Sequence, residues 1–353
     1  MKAKIAASLS ALIMVMIFTA CAGNNANPYQ TQESQVQESQ AQDNQAQESQ
    51  AQDNQAQGSQ SQDNQPIQAP ATDNGRPRPN IDRQGYAITL PEEIQSIVSI
   101  GSSNTEVLVE LGVADRIIAT DMFSADVLGL PYGISSSLSI VGLDAEYVVS
   151  LMPDVVFMTS IARAGGQYDP MTPIIAAGIT VINMPTSTGI AEIMEDIRFV
   201  SAVMDVHERG EEIVLNMQDQ IDQVREIAAN IQTPRTVYFE ISPPPHMVSF
   251  GSGTFLNEII ELTGAINILS HEQGWISITD EMLLEANPDV ILTSTDWLDD
   301  AIEEIMQRPG FNAITAVQNN DVFEITTSYS SRPSHNVVKA LWEIAQAVFP
   351  EYF

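Results

Sequence analysis

Two glutamates stand at the same place in two copies of one sequence pattern. "EYVVSLMPDVVFMTS" begins at Glu146 and "EMLLEANPDVILTST" begins at Glu281, and in each copy six residues separate the Glu from Pro-Asp and an apolar run. A carboxylate at such a position can pair with an arginine of a partner, and it can also be an ordinary first-turn helix acid that the helix dipole favours. The pattern alone leaves both roles open.

Motifs for catalysis are absent from the sequence. It contains no Walker A loop, Gly-x-Ser-x-Gly elbow, His-Glu-x-x-His or dinucleotide fingerprint. Its single cysteine and four scattered histidines do not form a metal-site pattern, so free zinc or manganese is not an expected ligand. We predict a binding protein with no catalytic residue, no cofactor and no metal site, and a hydrolase with a convergent Ser-His-Asp site is the enzyme alternative.

The N-terminal residues are typical of an exported protein. Residues 1–21 combine Lys2 and Lys4, an apolar run over 5–18 and Thr19-Ala20-Cys21, which resembles a lipobox with Phe18 where Leu is usual. We predict a lipoprotein signal peptide with the lipid on Cys21; an ordinary cleaved signal with an incidental cysteine is the alternative. Residues 22–80 are rich in Gln, Asn, Ser and Glu, with "ESQAQDNQAQ" repeated, and predict a disordered tether.

The charge of the remaining chain excludes some partners. Residues 81–353 carry ten Lys and Arg against 39 Asp and Glu, a net charge of −29. Such a surface repels nucleic acid and anionic lipid, so we expect neither as a partner. Membrane attachment would then depend on the lipid at Cys21.

Strands alternate with helices along this body, which predicts parallel α/β sheets. Residues 96–100, 116–120, 154–159 and 179–184 predict strands before the middle of the chain, and 236–240, 289–293 and 321–325 predict strands after it. Ser103 and Glu106 have the spacing of a capping box at the start of the first helix. Residues 189–231 have apolar residues three and four apart without proline, which predicts one long helix, flexed near Gly210.

The repeated pattern therefore falls at equivalent places in two halves. A second echo supports this: Glu106 precedes Gly112 by six residues, and Glu258 precedes Gly264 by six. We predict an N-terminal α/β lobe over 81–188, a linker helix over 189–233 and a C-terminal α/β lobe over 234–353.

Several segments in this order resemble a known family. They are "IVSIGSSNTEVLVELGVADRIIATD", "AEYVVSLMPDVVF", "GSGTFLNEIIELTGAINI", "ITDEMLLEANPDVIL", "RPGFNAITAVQNNDVFEI" and "SSRPSHNVVKAL". The chain is similar to the substrate-binding proteins of ABC importers for ferric siderophores, haem and cobalamin. The resemblance implies a class III periplasmic-binding-protein fold: two Rossmann-like lobes with parallel sheets, bridged by a single long helix.

The resemblance also gives the repeated glutamates a role. It implies that the partner is a complex of a membrane permease and an ATPase, and that Glu146 and Glu281 pair with arginines of the permease. It implies a monomer at the outer face of the bacterial cytoplasmic membrane. A surface sensory receptor on the same fold is the alternative from another class.

A ligand of such a protein lies between the lobes, where loops follow the carboxyl ends of the strands. Trp275 lies six residues before Glu281, where cobalamin-binding relatives also present an aromatic, whereas Ile140 occupies the equivalent place before Glu146. The candidate ligand-binding residues are Ser103, Met122, Phe123, Arg163, His246, Met247, Trp275, Trp297, Tyr329 and Arg332.

Charge favours one ligand class over another. An anionic catecholate siderophore needs clustered cations, and the cleft loops offer only Arg163 and Arg332. We therefore expect a corrinoid such as cobalamin, with a ferric hydroxamate siderophore or haem as alternatives.

Overall fold

The computed structural model describes residues 76–163 and 169–353 of the 353-residue chain. The predicted signal peptide, Cys21 and nearly all of the predicted tether lie outside the described residues. Arg78 is already part of the folded body: its side chain is buried, and its Nε and Nη2 donate to the carbonyl oxygen of Val203 at 3.1 and 2.6 Å. Folded structure therefore begins before residue 81.

The N-terminal lobe contains a sheet of five parallel strands in the order β3-β2-β1-β4-β5. Its central strands are near-continuous apolar runs, as expected for strands that are covered on both faces. The strands are β1 (Ile97–Ile100), β2 (Ile117–Asp121), β3 (Ser135–Leu138), β4 (Val155–Thr159) and β5 (Thr180–Met184).

Short helices connect these strands. They are α1 (Ser102–Glu110), α2 (Ala145–Ser150) and α3 (Met171–Ala176), with 3-10 turns at Ala114–Arg116, Met122–Ser124 and Ser160–Arg163. Each of the strands β1, β2 and β4 ends directly or within one residue at a helical turn, so the turns cluster at one edge of the sheet. That edge carries the residues that sequence analysis selected for the ligand.

The single helix predicted over 189–231 is instead two helices, α4 (Ile190–Val203) and α5 (His207–Ala228). The break lies ahead of the predicted flexure, because Asp205 has a left-handed φ of +58° that ends α4. Gly210 serves close packing: a Cβ there would lie 2.2 Å from Ser201 Oγ of α4. Helix α4 joins the N-terminal lobe, so α5, 22 residues long and about 33 Å in length, is the helix that bridges the lobes.

The C-terminal lobe repeats the strand order of the first. Its parallel strands run β11-β10-β6-β8, so β6, β10 and β11 take the places of β1, β4 and β5, and β8 takes that of β2. A separate antiparallel pair joins β7 to β9. The strands are β6 (Thr236–Glu240), β7 (Val248–Phe250), β8 (Ile266–Asn267), β9 (Trp275–Ser277), β10 (Val290–Thr293) and β11 (Val322–Glu324).

Six helices belong to this lobe. They are α6 (Phe255–Leu262), α7 (Asp280–Ala286), α8 (Ala301–Met306), α9 (Thr315–Asn319), α10 (Thr327–Ser330) and α11 (Val337–Val348), with a 3-10 turn at Phe311–Ala313. Within 76–163 and 169–353, no helix has both the length and the apolar character needed to cross a bilayer.

The apolar core crosses from one lobe to the other. Alternate residues of each strand point to opposite faces of its sheet, and Val155 and Phe157 of β4 share one cluster with Val237 and Phe239 of β6. This shared core also includes buried residues of α4, α5 and α11. The outer face of each sheet packs against a core of its own. The lobes are therefore joined by packed side chains as well as by the bridging helix.

The duplicated Pro-Asp has the same structural role in both lobes. Asp154 Oδ2 accepts from the backbone N–H groups of Gln95 and Ser96 at 2.7 and 2.8 Å and from Ser96 Oγ at 3.0 Å. Asp289 Oδ2 accepts from the backbone N–H and the hydroxyl of Thr236, both at 2.8 Å. Each aspartate thus ties the start of one strand to the start of its neighbour.

Candidate ligand cleft and docking surface

The loop after β2 is held by a buried carboxylate. Asp121 accepts hydrogen bonds from the backbone N–H groups of Gly101 and Phe123 and from Ser124 Oγ, each at 2.8 Å. Burial raises the pKa of Asp121, and these hydrogen bonds offset part of that rise. The loop therefore has a defined shape that leaves Met122 39% exposed and Phe123 half-buried at the carboxyl edge of the sheet.

The capping box predicted from Ser103 and Glu106 is wrong. Helix α1 begins at Ser102, so Ser103 lies inside its first turn, half-buried, and no side chain caps the helix. The residue before the helix, Gly101, has a φ of +113°. Glu106 is 6% exposed and turns toward the C-terminal lobe, where charged and amide donors satisfy its carboxylate.

Three donors from the segment between α10 and α11 meet the Glu106 carboxylate. Arg332 Nη1 donates to Oε1 at 2.9 Å, and Asn336 Nδ2 donates to Oε2 at 3.0 Å. Ser334 Oγ donates to the same Oε2. Glu106 is thus the N-terminal lobe's anchor for a loop of the other lobe.

Arg332 extends this contact to the loop after β2 that carries Met122, Phe123 and Asp126, which we call the candidate ligand loop. Its Nη2 donates to Asp126 Oδ1 at 2.6 Å and to the carbonyl oxygen of Phe123 at 3.1 Å. The guanidinium, 11% exposed, is already paired with two carboxylates. Sequence analysis placed Arg332 at the ligand, whereas the structure shows it joining the loops of the two lobes.

Two of the predicted aromatic residues come together in the C-terminal lobe. The indoles of Trp275 and Trp297 line one small cavity of about 20 Å³ at the carboxyl ends of β6 and β10. The Trp275 ring also meets Phe250 edge to face, with 5.9 Å between centroids. The other residues that line the cavity are Ile241, Leu256, Ser294, Thr327, Ser330 and Ser331.

The remaining candidates differ in their access to the cleft. His246 is exposed in the loop after β6, but Met247 is 5% exposed. The Met247 side chain packs in the outer core of its lobe, and its carbonyl oxygen accepts from the N–H of Ile278 at 3.1 Å. Met247 is therefore unsuited to contact a ligand. Of Arg163 the structure describes the backbone, in the turn after β4.

Tyr329 has one ring face occupied by a cation. The ammonium of Lys339 in α11 lies 5.0 Å from its ring centroid, a cation–π distance. The ring remains half-exposed beside the segment that holds Arg332.

The repeated glutamates occupy matching surface positions. Glu146 is the second residue of α2, which Asp144 caps by accepting from the Tyr147 N–H at 3.0 Å. Glu281 is the second residue of α7, which Thr279 caps. Both glutamates are exposed. Hydrogen bonds from its own backbone N–H and from Thr279 lower the pKa of Glu281, so it is an anion at neutral pH.

A larger cavity, of about 360 Å³, lies between the end of α1, α5 and α11. His335 lines it, with Nε2 3.5 Å from Glu110 Oε2. Burial lowers the pKa of His335 to about 4, although Glu110 acts in the opposite direction. Among the described residues, no group of three or more His, Cys, Asp or Glu is arranged to hold a metal ion.

Two lobes of one strand order, joined by a helix and presenting aromatic and hydroxyl side chains at their carboxyl edges, define a bilobal solute-binding protein. Residues 97–329 match the family model of the periplasmic binding proteins, and the chain belongs to that family. It is the substrate-binding component of an ABC importer.

Known relatives agree with this assignment. The chain is 25% identical over 277 residues to YvrC of Bacillus subtilis, an uncharacterized ABC transporter substrate-binding lipoprotein, covering 77% of this chain and 85% of YvrC. It is 23% identical to the cobalamin-binding protein of Halobacterium salinarum, covering 75% of this chain and 72% of that protein. Among solved structures, the periplasmic haem-binding protein RhuT from Roseiflexus has a TM-score of 0.66 at 21% identity, covering 74% of this chain and all of that one.

Sequence analysis missed the carboxylates that join the lobes. Glu106 was assigned to a capping box, Glu106 and Glu258 were also noticed as a repeat in spacing, and Asp126 was not noticed. The equivalent places of Glu106 and Glu258 before Gly112 and Gly264 were the available signal that the two have related roles. The hydroxyl residues around the two indoles left no such signal.

Proposed function

We propose that this protein captures a corrinoid between its lobes and delivers it to its permease. The observation that carries the proposal is that Trp275 and Trp297 line one small, mainly apolar recess at the carboxyl ends of β6 and β10. Indole faces stack on flat apolar ligands such as a corrin ring. The similarity to a cobalamin-binding protein supports the same ligand class.

The charges at the cleft loops favour a neutral ligand. Arg332 is already paired with Glu106 and Asp126, so it does not offer an unpaired charge to an anion. A desolvated catecholate complex would need such charges. A near-neutral corrinoid or a neutral to cationic ferric hydroxamate does not.

Delivery would use the exposed carboxylates Glu146 and Glu281, one on each lobe. Exposed ion pairs with permease arginines steer docking and set its orientation more than they add affinity. A lipid on Cys21 would hold the protein at the outer face of the cytoplasmic membrane, close to the permease.

The test is direct titration of the purified protein carrying Cys21→Ser. Cobalamin, cobinamide, haem and a ferric hydroxamate are added separately, and quenching of tryptophan fluorescence is followed. We expect cobalamin to bind most tightly and Trp275→Ala to weaken it more than Trp342→Ala, because Trp342 packs against Phe353 away from the recess. Binding of haem or hydroxamate with no response to cobalamin would overturn the corrinoid proposal.

Haem is the second candidate, because His246 is exposed in the loop after β6 and imidazole is a common haem ligand. In that case haem would bind with a Soret band that His246→Ala changes. An unchanged spectrum would remove this candidate.

A further inference from the structure

Glu106 and Glu258, which occupy equivalent places in the two lobes, each contact the other lobe near the start of a helix. Glu106, on the first helix of the N-terminal lobe, accepts from Ser334 and Asn336 at the start of α11. Glu258, on α6 of the C-terminal lobe, accepts from the N–H of Ile190, the first residue of α4, at 2.8 Å. Helix α4 follows β5, and α11 follows β11 after the short helix α10; β5 and β11 are equivalent strands. Each lobe thus places a carboxylate near the start of a helix that lies beyond the other lobe's last strand.

Glu258 accepts from a backbone N–H at its helix start, whereas Glu106 accepts from side-chain donors. The start of a helix carries unsatisfied N–H groups and the positive end of the helix dipole, and a carboxylate there is stabilised. At the Glu258 contact the approach is close, because a Cβ on Gly189 would lie 3.2 Å from Glu258 Oε2. We call Glu106 and Glu258, with the helix starts they contact, the reciprocal caps.

The caps differ in one respect. Arg332 reinforces the Glu106 cap and also holds Asp126 and the carbonyl oxygen of Phe123, which belong to the candidate ligand loop. Among the described residues, the Glu258 cap has no arginine of this kind. One guanidinium therefore connects the spacing of the lobes with the shape of the loop that carries Met122 and Phe123.

We propose that Arg332 is a positioning residue for ligand capture: it sets the lobe spacing through Glu106 and the ligand loop through Asp126, without contacting the ligand. Guanidinium is suited to this, because its planar fork presents donors to separated acceptors in a fixed geometry, whereas the three donors of a lysine ammonium share one nitrogen. The shared apolar core keeps the lobes associated when the contact is lost, so its loss widens their range of spacings and does not separate them. The proposal rests on ligand binding between the lobes, whichever ligand is bound.

The experiment measures lobe spacing and affinity separately. Cys21 is the only cysteine, so Cys21→Ser allows spin labels at Ser150→Cys and Glu285→Cys, exposed sites on α2 and α7. Double electron–electron resonance then gives the distribution of distances between the lobes. Cobalamin affinity is measured on the same proteins without labels.

We expect Arg332→Ala and Arg332→Lys to broaden the ligand-free distance distribution. Only a fraction of the molecules then has the binding-competent arrangement, so the dissociation constant of cobalamin should rise roughly tenfold or more. Asp126→Asn should free the loop alone and weaken binding without changing the distances. Arg198→Ala is the matched control, because Arg198 forms an exposed pair with Glu211 away from the lobe contact; it should change neither quantity.

Three results would overturn the proposal. The first is an unchanged distance distribution in both Arg332 variants with folded circular dichroism spectra. The second is broadened distances with unchanged affinity. The third is weakened binding at unchanged distances in Arg332→Lys, which would place the guanidinium on the ligand itself. If the parent protein does not bind cobalamin, the corrinoid proposal fails, while the distance measurement still decides whether Arg332 sets the lobe spacing.

Discussion

Removal of the two repeated aspartates should destabilise the protein in proportion to the hydrogen bonds that each accepts. Asp154 accepts three and Asp289 accepts two, all between 2.7 and 3.0 Å. At about 1 kcal/mol for each hydrogen bond, Asp154→Ala should cost about 3 kcal/mol and Asp289→Ala about 2 kcal/mol. Asp154→Asn keeps one oxygen acceptor and should fall between Asp154→Ala and the parent.

The assay is urea unfolding at pH 7, followed by far-ultraviolet circular dichroism. The slope with denaturant should be unchanged, because the surface exposed on unfolding is the same. A cost below about 1 kcal/mol for Asp154→Ala, or a larger cost for Asp289→Ala than for Asp154→Ala, would refute the reasoning from hydrogen-bond counts.

The same contact predicts an effect of pH. Burial raises the pKa of Asp154, but the hydrogen bonds from Gln95 and Ser96 outweigh it, and the net pKa is lowered. The unfolded chain therefore binds a proton at higher pH than the folded chain does. The stability from this group is present above the unfolded pKa and is lost as pH falls through the folded pKa. Asp154→Asn should flatten the acid side of the stability profile, and a profile as steep as the parent's would contradict this.

Three other expectations follow from single contacts. Arg308→Met leaves Glu240, 1% exposed, as an unpaired buried charge and should lower the free energy of unfolding in urea by about 3–5 kcal/mol. Adding Glu240→Gln should recover much of this loss. A double variant no more stable than Arg308→Met would refute the pairing argument. Burial lowers the pKa of His335 to about 4, so as pH falls below 6.5 this histidine is protonated in the unfolded chain before it is protonated in the folded one. The free energy of unfolding should therefore drop between pH 6.5 and 4. This drop should be smaller in His335→Asn. Reversal of Glu146 and Glu281 to Lys should leave ligand affinity intact and abolish uptake, and unimpaired uptake would refute their docking role.

The main strands of both lobes were predicted from local patterns. Apolar β-branched runs after Pro-Asp predicted β4 and β10, and the alternation of such runs with amphipathic helices predicted parallel sheets, which the structure confirms. These features are visible in the sequence because they depend on residues that are neighbours along the chain. The strands β3, β7, β8 and β9 were not predicted, since their sequences lack the continuous apolar run that marks β4 and β10.

Longer-range contacts changed several local expectations. Ser103 and Glu106 have the spacing of a cap, yet Glu106 pairs with Arg332, 226 residues away. Residues 189–231 have helical spacing throughout, yet a left-handed Asp205 divides them so that α4 can pack into the N-terminal lobe. In each case packing or charge pairing between distant segments outweighed a modest local preference.

The sequence by itself determined that the body has two related α/β halves. The same residues recur at the same spacing in both halves, and the spacing of apolar residues fixes which face of a strand or helix is apolar. Only the tertiary structure decided which charges meet. Arg332 and Glu106 each have many possible partners in the sequence, and the choice is made where folding buries both side chains and brings them together, because a buried charge without a partner is costly.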